Sequence, residues 1–176
     1  MSLELRIREA IRDIADFPKP GIMFKDITPI MEDPELSNDL VDHFVKELAP
    51  MRIDAIAGVE SRGFLFGMSL AMRMNVPFIT VRKKGKLPYT TVSHSYDLEY
   101  GSAEIEMHVD VIQKDWNVLV HDDLLATGGT AAATAELIRK QGANVSGFCF
   151  LIELGFLNGK DKIRPYSDQI INIVSY

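Results

Sequence analysis

Two adjacent carboxylates stand just ahead of a glycine-rich and threonine-rich turn in the stretch VLVHDDLLATGGTAAAT, Val118 to Thr134. The glycines of the turn Thr127–Thr130 let backbone N–H groups approach a ligand, and the positive end of a following helix favours an anion. Asp122 and Asp123 would repel the same anion. A ribose 5-phosphate unit resolves this conflict, because the turn would bind its phosphate while the carboxylates accept hydrogen bonds from its hydroxyls.

A second candidate anion site is the basic run RKKGK, Arg82 to Lys86. Taken alone, such a run is more often a solvated loop than a binding site. The sequence contains neither the Walker pattern G-x-x-x-x-G-K-[ST] nor the dinucleotide fingerprint G-x-G-x-x-G. The phosphate hypothesis therefore depends on the order of strand, acidic pair, turn and helix.

Composition and charge restrict the class of protein. The 176 residues are 47% hydrophobic and 25% charged, which is typical of a globular protein, and we expect a single domain over residues 1–176. The formal net charge of -6 argues against a general nucleic-acid binder. We find no apolar run of about 18 residues and no signal-peptide block, so we expect a cytoplasmic protein with no membrane partner. Cys149 lies in an apolar run, where a buried structural cysteine is more common than a catalytic thiol.

The hydrophobic pattern predicts strands that alternate with helices. Apolar residues at helical spacing predict a helix near residues 3–15, and Asp33-Pro34 predicts the start of another. The proline-rich stretch 16–30 is expected to be an ordered loop, and the polar segment Lys86–Tyr100 a loop that closes over the substrate. The other predicted elements are the strand IDAIAGV, the helix GFLFGMSLAMRM, the strands PFITVR, AEIEMHV and NVLVHD, the helix TAAATAELIRKQ ending at Gly142, and the strands VSGFCFLIE and DQIINIV.

This alternation indicates an α/β fold with a mainly parallel twisted sheet flanked by helices. Ligands of such sheets bind at the carboxyl ends of the strands. Glu60 and Asp122 each fall at the end of a predicted strand, so we expect both to lie near the ligand.

The motifs resemble those of the type I phosphoribosyltransferases, and within them the adenine phosphoribosyltransferases, over nearly the whole chain. The similar segments are FPKPGIMFKDITPIM, GVESRGFLFG, VRKKGKLP, SYDLEYG, VLVHDDLLATGGT and ELGFLNGKDKI. His121 stands where an aliphatic residue is usual, and Lys160 where arginine is more usual. The resemblance implies transfer of the 5-phosphoribosyl group from phosphoribosyl pyrophosphate to adenine, giving AMP and pyrophosphate. It also implies a small N-terminal hood over the base site.

The resemblance implies a role for each residue that binds the phosphoribosyl group. Asp122 and Asp123 would hold the ribose hydroxyls, and Arg62 would clamp the pyrophosphate. Glu60 and Ser61 flank a peptide bond that the family often holds in the cis form, which points an amide at the pyrophosphate. The remaining anion-binding residues implied are Ala126, Thr127, Gly128, Gly129 and Thr130 for the 5-phosphate, and Arg82, Lys83 and Lys86 for the pyrophosphate.

The base site is implied in the same way. Adenine would stack between Phe24 and Leu154, and backbone groups of Met23 and Lys25 would read its edge. A core role is the ordinary interpretation of Phe24 or Leu154 taken alone. Phe24, however, lies in a proline-rich segment rather than in a periodic element, which favours binding.

Proton movement, metal and assembly complete the hypothesis. Spacing alone leaves both Glu99 and Asp97 as candidates for assisting proton movement at adenine, and the resemblance selects Glu99. Mg²⁺ would be held mainly by pyrophosphate oxygens rather than directly by the protein. The resemblance also implies a homodimer, because the family's basic strand end can reach the neighbouring subunit's site.

Two other functions compete with this hypothesis. A guanine or hypoxanthine phosphoribosyltransferase would lack the FPKPGIMF segment and would use a lysine in a 6-oxopurine pocket. A ligand-sensing regulator that kept the fold and lost catalysis would generally carry a DNA-binding domain or an RNA-binding basic face. The acidic composition indicates neither feature.

Overall fold

The computed structural model describes residues 1–97 and 101–176, and a seven-stranded sheet forms its centre. The strands are β1 (Arg12–Ala15), β2 (Met23–Asp26), β3 (Ala55–Val59), β4 (Phe78–Lys83), β5 (Thr91–Asp97), β6 (Ser102–His108), β7 (Asn117–Leu125), β8 (Asn144–Glu153) and β9 (Ile170–Ser175). The helices are α1 (Leu3–Ala10), α2 (Thr28–Glu32), α3 (Pro34–Leu48), α4 (Gly63–Met74), α5 (Gly129–Lys140) and α6 (Gly159–Ile163), and a 3₁₀ turn spans Gly155–Leu157.

The large sheet has the strand order β5-β6-β4-β3-β7-β8-β9. The five strands from β4 to β9 in this order pair in parallel. The central strand β3 is buried along its whole length, as expected for a parallel strand with helices on both faces. The predicted α/β fold with a mainly parallel sheet is confirmed.

The two faces of the sheet form separate hydrophobic cores. Along β8, Phe148 and Phe150 pack in the core that contains α5, whereas Cys149 and Leu151 pack in the core that contains α3 and α4. Cys149 is fully buried, and this burial raises the pKa of its thiol well above the ordinary value. These surroundings agree with the structural interpretation of the cysteine.

The predicted loop over Lys86–Tyr100 is wrong for Thr91–Asp97, which forms the edge strand β5. This strand pairs antiparallel with β6, and β6 pairs antiparallel with β4. Polar side chains of β5 find partners across the ladder, and the Ser93 hydroxyl donates to Glu104 at 2.5 Å. The sequence is polar because the strand lies at the edge of the sheet, and this polarity concealed it.

The N-terminal segment also differs from the prediction. The helix predicted near residues 3–15 ends at Ala10, and Arg12–Ala15 instead pairs antiparallel with Met23–Asp26. This hairpin and the start of α2 occupy part of the stretch predicted to be a loop. All four residues of β1 are exposed, so the apolar Ile14 does not belong to a buried helix face.

Helices that begin at clear capping signals lie where they were predicted. The Asp33 carboxylate accepts the N–H of Leu36 at 3.0 Å, and Pro34 occupies the first turn of α3. The short helix α6 was not predicted. Within residues 1–97 and 101–176, no helix is long and apolar enough to cross a membrane.

Candidate active site

The turn between β7 and α5 encloses a small cavity at a helix N-terminus. The cavity measures about 80 Å³ and is lined by Asp122 and by Ala126 to Thr130, among others. Gly128 adopts the left-handed conformation with φ of +78°, and a Cβ placed there would lie 2.5 Å from the carbonyl oxygen of Gly159. The first N–H groups of a helix have no partner inside it, so this turn presents donors to an anion. We call Ala126–Thr130 the phosphate loop.

Two residues outside the phosphate loop approach it. The Tyr96 hydroxyl lies 2.9 Å from Oγ1 of Thr130. The Lys162 ammonium lies 3.7 Å from the place that a Cβ on Gly129 would occupy. Sequence analysis missed both residues, because Tyr96 stood in a presumed loop and Lys162 in a helix that was not predicted.

The two aspartates occupy the carboxyl-terminal half of β7. Asp122 is partly exposed and lines the phosphate-loop cavity, while Asp123 is only 3% exposed. Desolvation raises the pKa of Asp122 well above its ordinary value, and the neighbouring carboxylate of Asp123 raises it further. Desolvation also raises the pKa of Asp123, although the Arg62 guanidinium opposes this shift. Carboxyl groups in such poorly solvated surroundings favour a ligand that donates hydrogen bonds.

Arg62 connects the sheet to the N-terminal hairpin. Its Nε lies 3.0 Å from Oδ2 of Asp123, and its Nη1 donates to the carbonyl oxygen of Lys25 at 3.1 Å. The guanidinium carbon lies 4.7 Å from the centre of the Phe24 ring. Just ahead of Arg62, the Glu60–Ser61 peptide bond is cis. The predicted pyrophosphate clamp therefore has protein partners in this structure.

Glu60 and the basic run meet at the carboxyl ends of β3 and β4. Oε1 of Glu60 lies 2.6 Å from the Lys86 ammonium and 3.2 Å from Nη2 of Arg82, and Oε2 accepts the Lys83 N–H at 3.0 Å. Partial burial would raise the pKa of Glu60, but these hydrogen bonds outweigh it and lower the pKa to about 2. The carboxylate of Glu60 thus contacts the charged groups of two of the four residues that were predicted to bind pyrophosphate, Arg82 and Lys86.

A cleft of about 110 Å³ separates this ion cluster from the phosphate loop. Glu60, Arg82, Tyr96, Asp122 and Thr130 are among the residues that line it. Within the described part of the chain, the buried Nε of Arg82 has no hydrogen-bond partner. A buried donor without a partner is costly, so an acceptor on a bound ligand would stabilise it.

A larger cavity of about 570 Å³ lies between the hairpin and the carboxyl-terminal segment. Met23, Lys25 and Leu154 line it, as does Thr127 of the phosphate loop. Phe24 is not among its lining residues, because its ring packs edge-on against Phe17 at 5.0 Å and beneath Arg62. Three of the four predicted base-site residues therefore line one cavity, and Phe24 does not.

Sequence analysis also missed Phe156 and Tyr176, which line the same cavity. The Lys25 ammonium lies 3.6 Å from the centre of the Tyr176 ring and 2.6 Å from Oδ1 of Asp13. No local sequence pattern marks Tyr176 as part of a site. Glu99, the predicted proton-transfer residue, lies outside the described residues.

Comparisons with known proteins identify the family. The phosphoribosyl transferase domain family matches residues 33–174. An adenine phosphoribosyltransferase of Cytophaga hutchinsonii is 52% identical over 174 residues, which cover 99% of this chain and 96% of that protein.

Solved structures show the same likeness. The crystal structure of adenine phosphoribosyltransferase from Thermoanaerobacter pseudethanolicus has a TM-score of 0.95 and 46% identity, and the match covers 99% of this chain and 100% of that one. The enzyme from Saccharomyces cerevisiae, complexed with adenine and an imino-altritol bisphosphate, has a TM-score of 0.89 and 38% identity, with 97% and 98% covered. The chain therefore belongs to the adenine phosphoribosyltransferase family of type I phosphoribosyltransferases.

Proposed function

We propose that the chain transfers the 5-phosphoribosyl group from phosphoribosyl pyrophosphate to adenine, which yields AMP and pyrophosphate. The continuity of the three cavities carries this proposal. Thr127 lines both the large cavity and the small cavity enclosed by the phosphate loop. Asp122 and Thr130 line both that small cavity and the cleft at Arg82. A base, a ribose phosphate and a pyrophosphate would occupy the three spaces in that order.

The phosphoribosyl group is recognised by two kinds of contact. The phosphate loop and the N-terminus of α5 bind the 5-phosphate through backbone N–H groups. Asp122 accepts hydrogen bonds from the ribose hydroxyls, and Asp123 does so once the ligand competes with Arg62 for its carboxylate. The desolvated setting of the pair supports this role, because carboxyl oxygens removed from water are stabilised by hydrogen bonds from a ligand.

Pyrophosphate binding requires a change of partners. The cations of Arg82 and Lys86 contact Glu60 in the structure, and Lys83 is exposed beside them. A pyrophosphate carries more negative charge than one carboxylate and therefore displaces Glu60 from them. Arg62 joins this site, since its planar guanidinium can bind two phosphate oxygens together.

Adenine binds in the large cavity. Leu154 contacts one face of the base, and Phe24 supplies the aromatic contact after a change in its side-chain position. Backbone groups of Met23 and Lys25 hydrogen-bond to the edge of the base. A buried polar site left unpaired by a 6-oxopurine discriminates strongly against it.

The reaction forms a bond between N9 of adenine and C1 of the ribose while the bond from C1 to the pyrophosphate oxygen breaks. Positive charge develops on the sugar ring, as in glycoside cleavage. Positioning and electrostatic stabilisation of the departing pyrophosphate supply most of the catalysis. Glu99 assists removal of the purine proton, as the family resemblance suggests.

Mg²⁺ belongs to the proposal as a partner of the substrate. Mg²⁺ keeps several waters and is usually bound through substrate phosphates and one or two carboxylates. We therefore assign the ion mainly to the pyrophosphate oxygens, and keep Asp122 and Asp123 for the ribose hydroxyls. When bound, it neutralises part of the charge on the departing pyrophosphate.

A homodimer is the proposed assembly. Helix α4 exposes Leu65, Met68 and Met72, which fall on one face at helical spacing. Exposed apolar side chains grouped in this way mark protein contact surfaces more often than isolated ones do. We assign this face to a second copy of the chain.

We also assign the protein to the cytoplasm, because a highly charged substrate stays in the compartment where it is made.

Conversion of a labelled base tests the function directly. Purified protein is incubated with phosphoribosyl pyrophosphate, Mg²⁺ and labelled adenine, hypoxanthine or guanine, and the nucleotides are separated. We expect AMP from adenine and no product from the 6-oxopurines. Turnover of hypoxanthine at a comparable rate would reject the adenine assignment, and no turnover of any base would favour a ligand-sensing regulator.

A further inference from the structure

The buried carboxylate of Glu106 lies inside the turn that carries the basic residues. Glu106 is 2% exposed and stands opposite Arg82 in the ladder between β4 and β6. Its Oε1 accepts three consecutive backbone N–H groups at 2.8, 3.0 and 3.0 Å. These donors belong to Gly85, Lys86 and Leu87. We call Lys83–Leu87 the basic turn.

The second oxygen of Glu106 is also engaged. Oε2 accepts the Thr91 hydroxyl at 2.9 Å and lies 3.6 Å from the Lys84 ammonium. Burial would raise the pKa of Glu106, but hydrogen bonds from Leu87, Thr91 and Gly85 and the charge of Lys84 hold it below the ordinary value. Successive N–H groups of this kind form a concave anion site, and here the anion is part of the chain itself.

The backbone of the basic turn fixes the position of the cationic side chains of Arg82 and Lys86. The Lys86 N–H donates to the carbonyl oxygen of Lys83 at 3.2 Å, and Gly85 has a φ of +85°, which suits the third position of a tight turn. Nη1 of Arg82 donates to the carbonyl oxygen of Lys86 at 3.0 Å. Any group that fixes this backbone therefore fixes the guanidinium of Arg82 and the base of the Lys86 side chain.

We propose that Glu106 is a positioning residue for pyrophosphate, which acts by shaping the basic turn and not by touching the ligand. The inference rests on the proposed role of this turn in pyrophosphate binding. If Glu106 positions the turn, loss of its carboxylate should lower the affinity for pyrophosphate; if Glu106 acts only through its charge, the same loss should raise that affinity. Removing a negative charge beside four cations would tighten anion binding by Coulomb's law, whereas loosening the turn would weaken it.

The test compares the affinity for pyrophosphate with that for AMP, because AMP has no pyrophosphate group that the basic turn could bind. Titration calorimetry measures the Kd of pyrophosphate with Mg²⁺, and of AMP, for the parent, Glu106→Gln and Glu104→Gln. Glu104 is the matched control, since it is a partly buried carboxylate on the same strand and accepts only the Ser93 hydroxyl among the described residues. We expect Glu106→Gln to raise the pyrophosphate Kd about 10- to 100-fold, the range that small misplacements cause, while AMP binding stays within about two-fold. Glu104→Gln should change neither.

A second variant guards against misfolding of Glu106→Gln. Gly85→Ala meets no atom within 4 Å but strains a backbone with positive φ, so it disturbs the turn without removing a charge. It should give the same selective loss of pyrophosphate binding. Parent-like or tighter pyrophosphate binding by both folded variants would overturn the inference. The variant Lys86→Met separates the failure of this inference from the failure of the proposed function: if it binds pyrophosphate like the parent, the proposed role of the basic turn itself fails.

Discussion

Among single residues, His121 departs from the family's pattern, because an aliphatic residue is usual at this position. The structure shows that the polar ring of His121 is desolvated there. Its ring is fully buried, lies 5.9 Å from the Phe44 ring, and neither nitrogen has a hydrogen-bond partner among the described residues. Desolvation lowers the pKa of His121 to about 4. An aliphatic residue would fill this place without a polar group to desolvate.

This burial predicts a pH dependence of stability. The unfolded chain takes up a proton at His121 near pH 6.5 and the folded chain only near pH 4, so the unfolded state binds more protons between these values. The free energy of unfolding should therefore fall as the pH drops from about 6.5 to about 4, by about 3 kcal/mol from this group. Urea unfolding at several pH values measures it. His121→Leu should lose that part of the dependence, whereas His43→Leu, a control at a partly exposed position of α3, should keep it. Equal pH profiles for the parent and His121→Leu would contradict the prediction.

At the scale of elements, the phosphate loop depends on the short helix α6 beside it. A Cβ placed on Gly159 would lie 2.2 Å from the carbonyl oxygen of Ala126. The close approach of Gly159 to both Ala126 and Gly128 means that the loop is packed against the first residue of α6. The loop's shape is therefore set partly by a segment far away in the sequence.

The change Gly159→Ala tests this packing. Forcing a methyl group into so close a contact typically costs about 1–3 kcal/mol. If that cost falls on the liganded loop, the Kd of ribose 5-phosphate should rise roughly 5- to 150-fold. The control Gly155→Ala lies in the same segment, and its added Cβ would meet only the carbonyl oxygen of Tyr176, at 3.4 Å. Calorimetric titration should show the loss for Gly159→Ala alone, and parent-like affinity would show that α6 does not shape the loop.

The same elements show how far sequence reasoning reaches. The parallel strands and α3, α4 and α5 were predictable, because each combines a strong apolar period with a capping or turn signal. The strand β5 was not, since an edge strand with polar partners looks like a loop. The phosphate loop could be found from its glycines and carboxylates, which are contiguous. The engagement of Arg62 by Asp123 and Lys25 could not, because it depends on three segments that only the fold brings together.

At the scale of the whole molecule, the outer face of α4 is the surface that predicts assembly. Leu65, Met68 and Met72 are 42%, 47% and 71% exposed. In a two-fold dimer the same patch of both subunits forms the interface, so each of these side chains contributes to it once from each subunit. Met68 is already about half buried, so its remaining burial would contribute about 1 kcal/mol per subunit. A glutamate in its place would also bury an unpaired charge, so this change should dissociate the dimer.

We expect light scattering to give a dimer for the parent and a monomer for Met68→Glu. Activity should fall with dissociation, because the family resemblance implies that the basic strand end can also reach the neighbouring subunit's site. Leu5→Glu on α1 is the control, because Leu5 is 43% exposed on a different surface. It should remain dimeric and active. A Met68→Glu variant that stays dimeric would move the interface elsewhere, and a fully active monomer would reject the need for a partner.

AMP binding without metal tests the proposed nucleotide site most directly. AMP would span the base cavity, the aspartates and the phosphate loop, but it carries no pyrophosphate. AMP is titrated in EDTA against the parent and the double variant Asp122→Asn/Asp123→Asn, with Asp110→Asn, an exposed carboxylate outside the site, as control. Each lost charge-assisted hydrogen bond should cost about 1.5–3 kcal/mol, so the loss of two should raise the Kd of AMP at least about 100-fold while adenine binding changes little. Equal AMP affinity for the parent and the double variant would contradict the hydroxyl-binding role of the aspartates, and with it the proposed placement of the nucleotide.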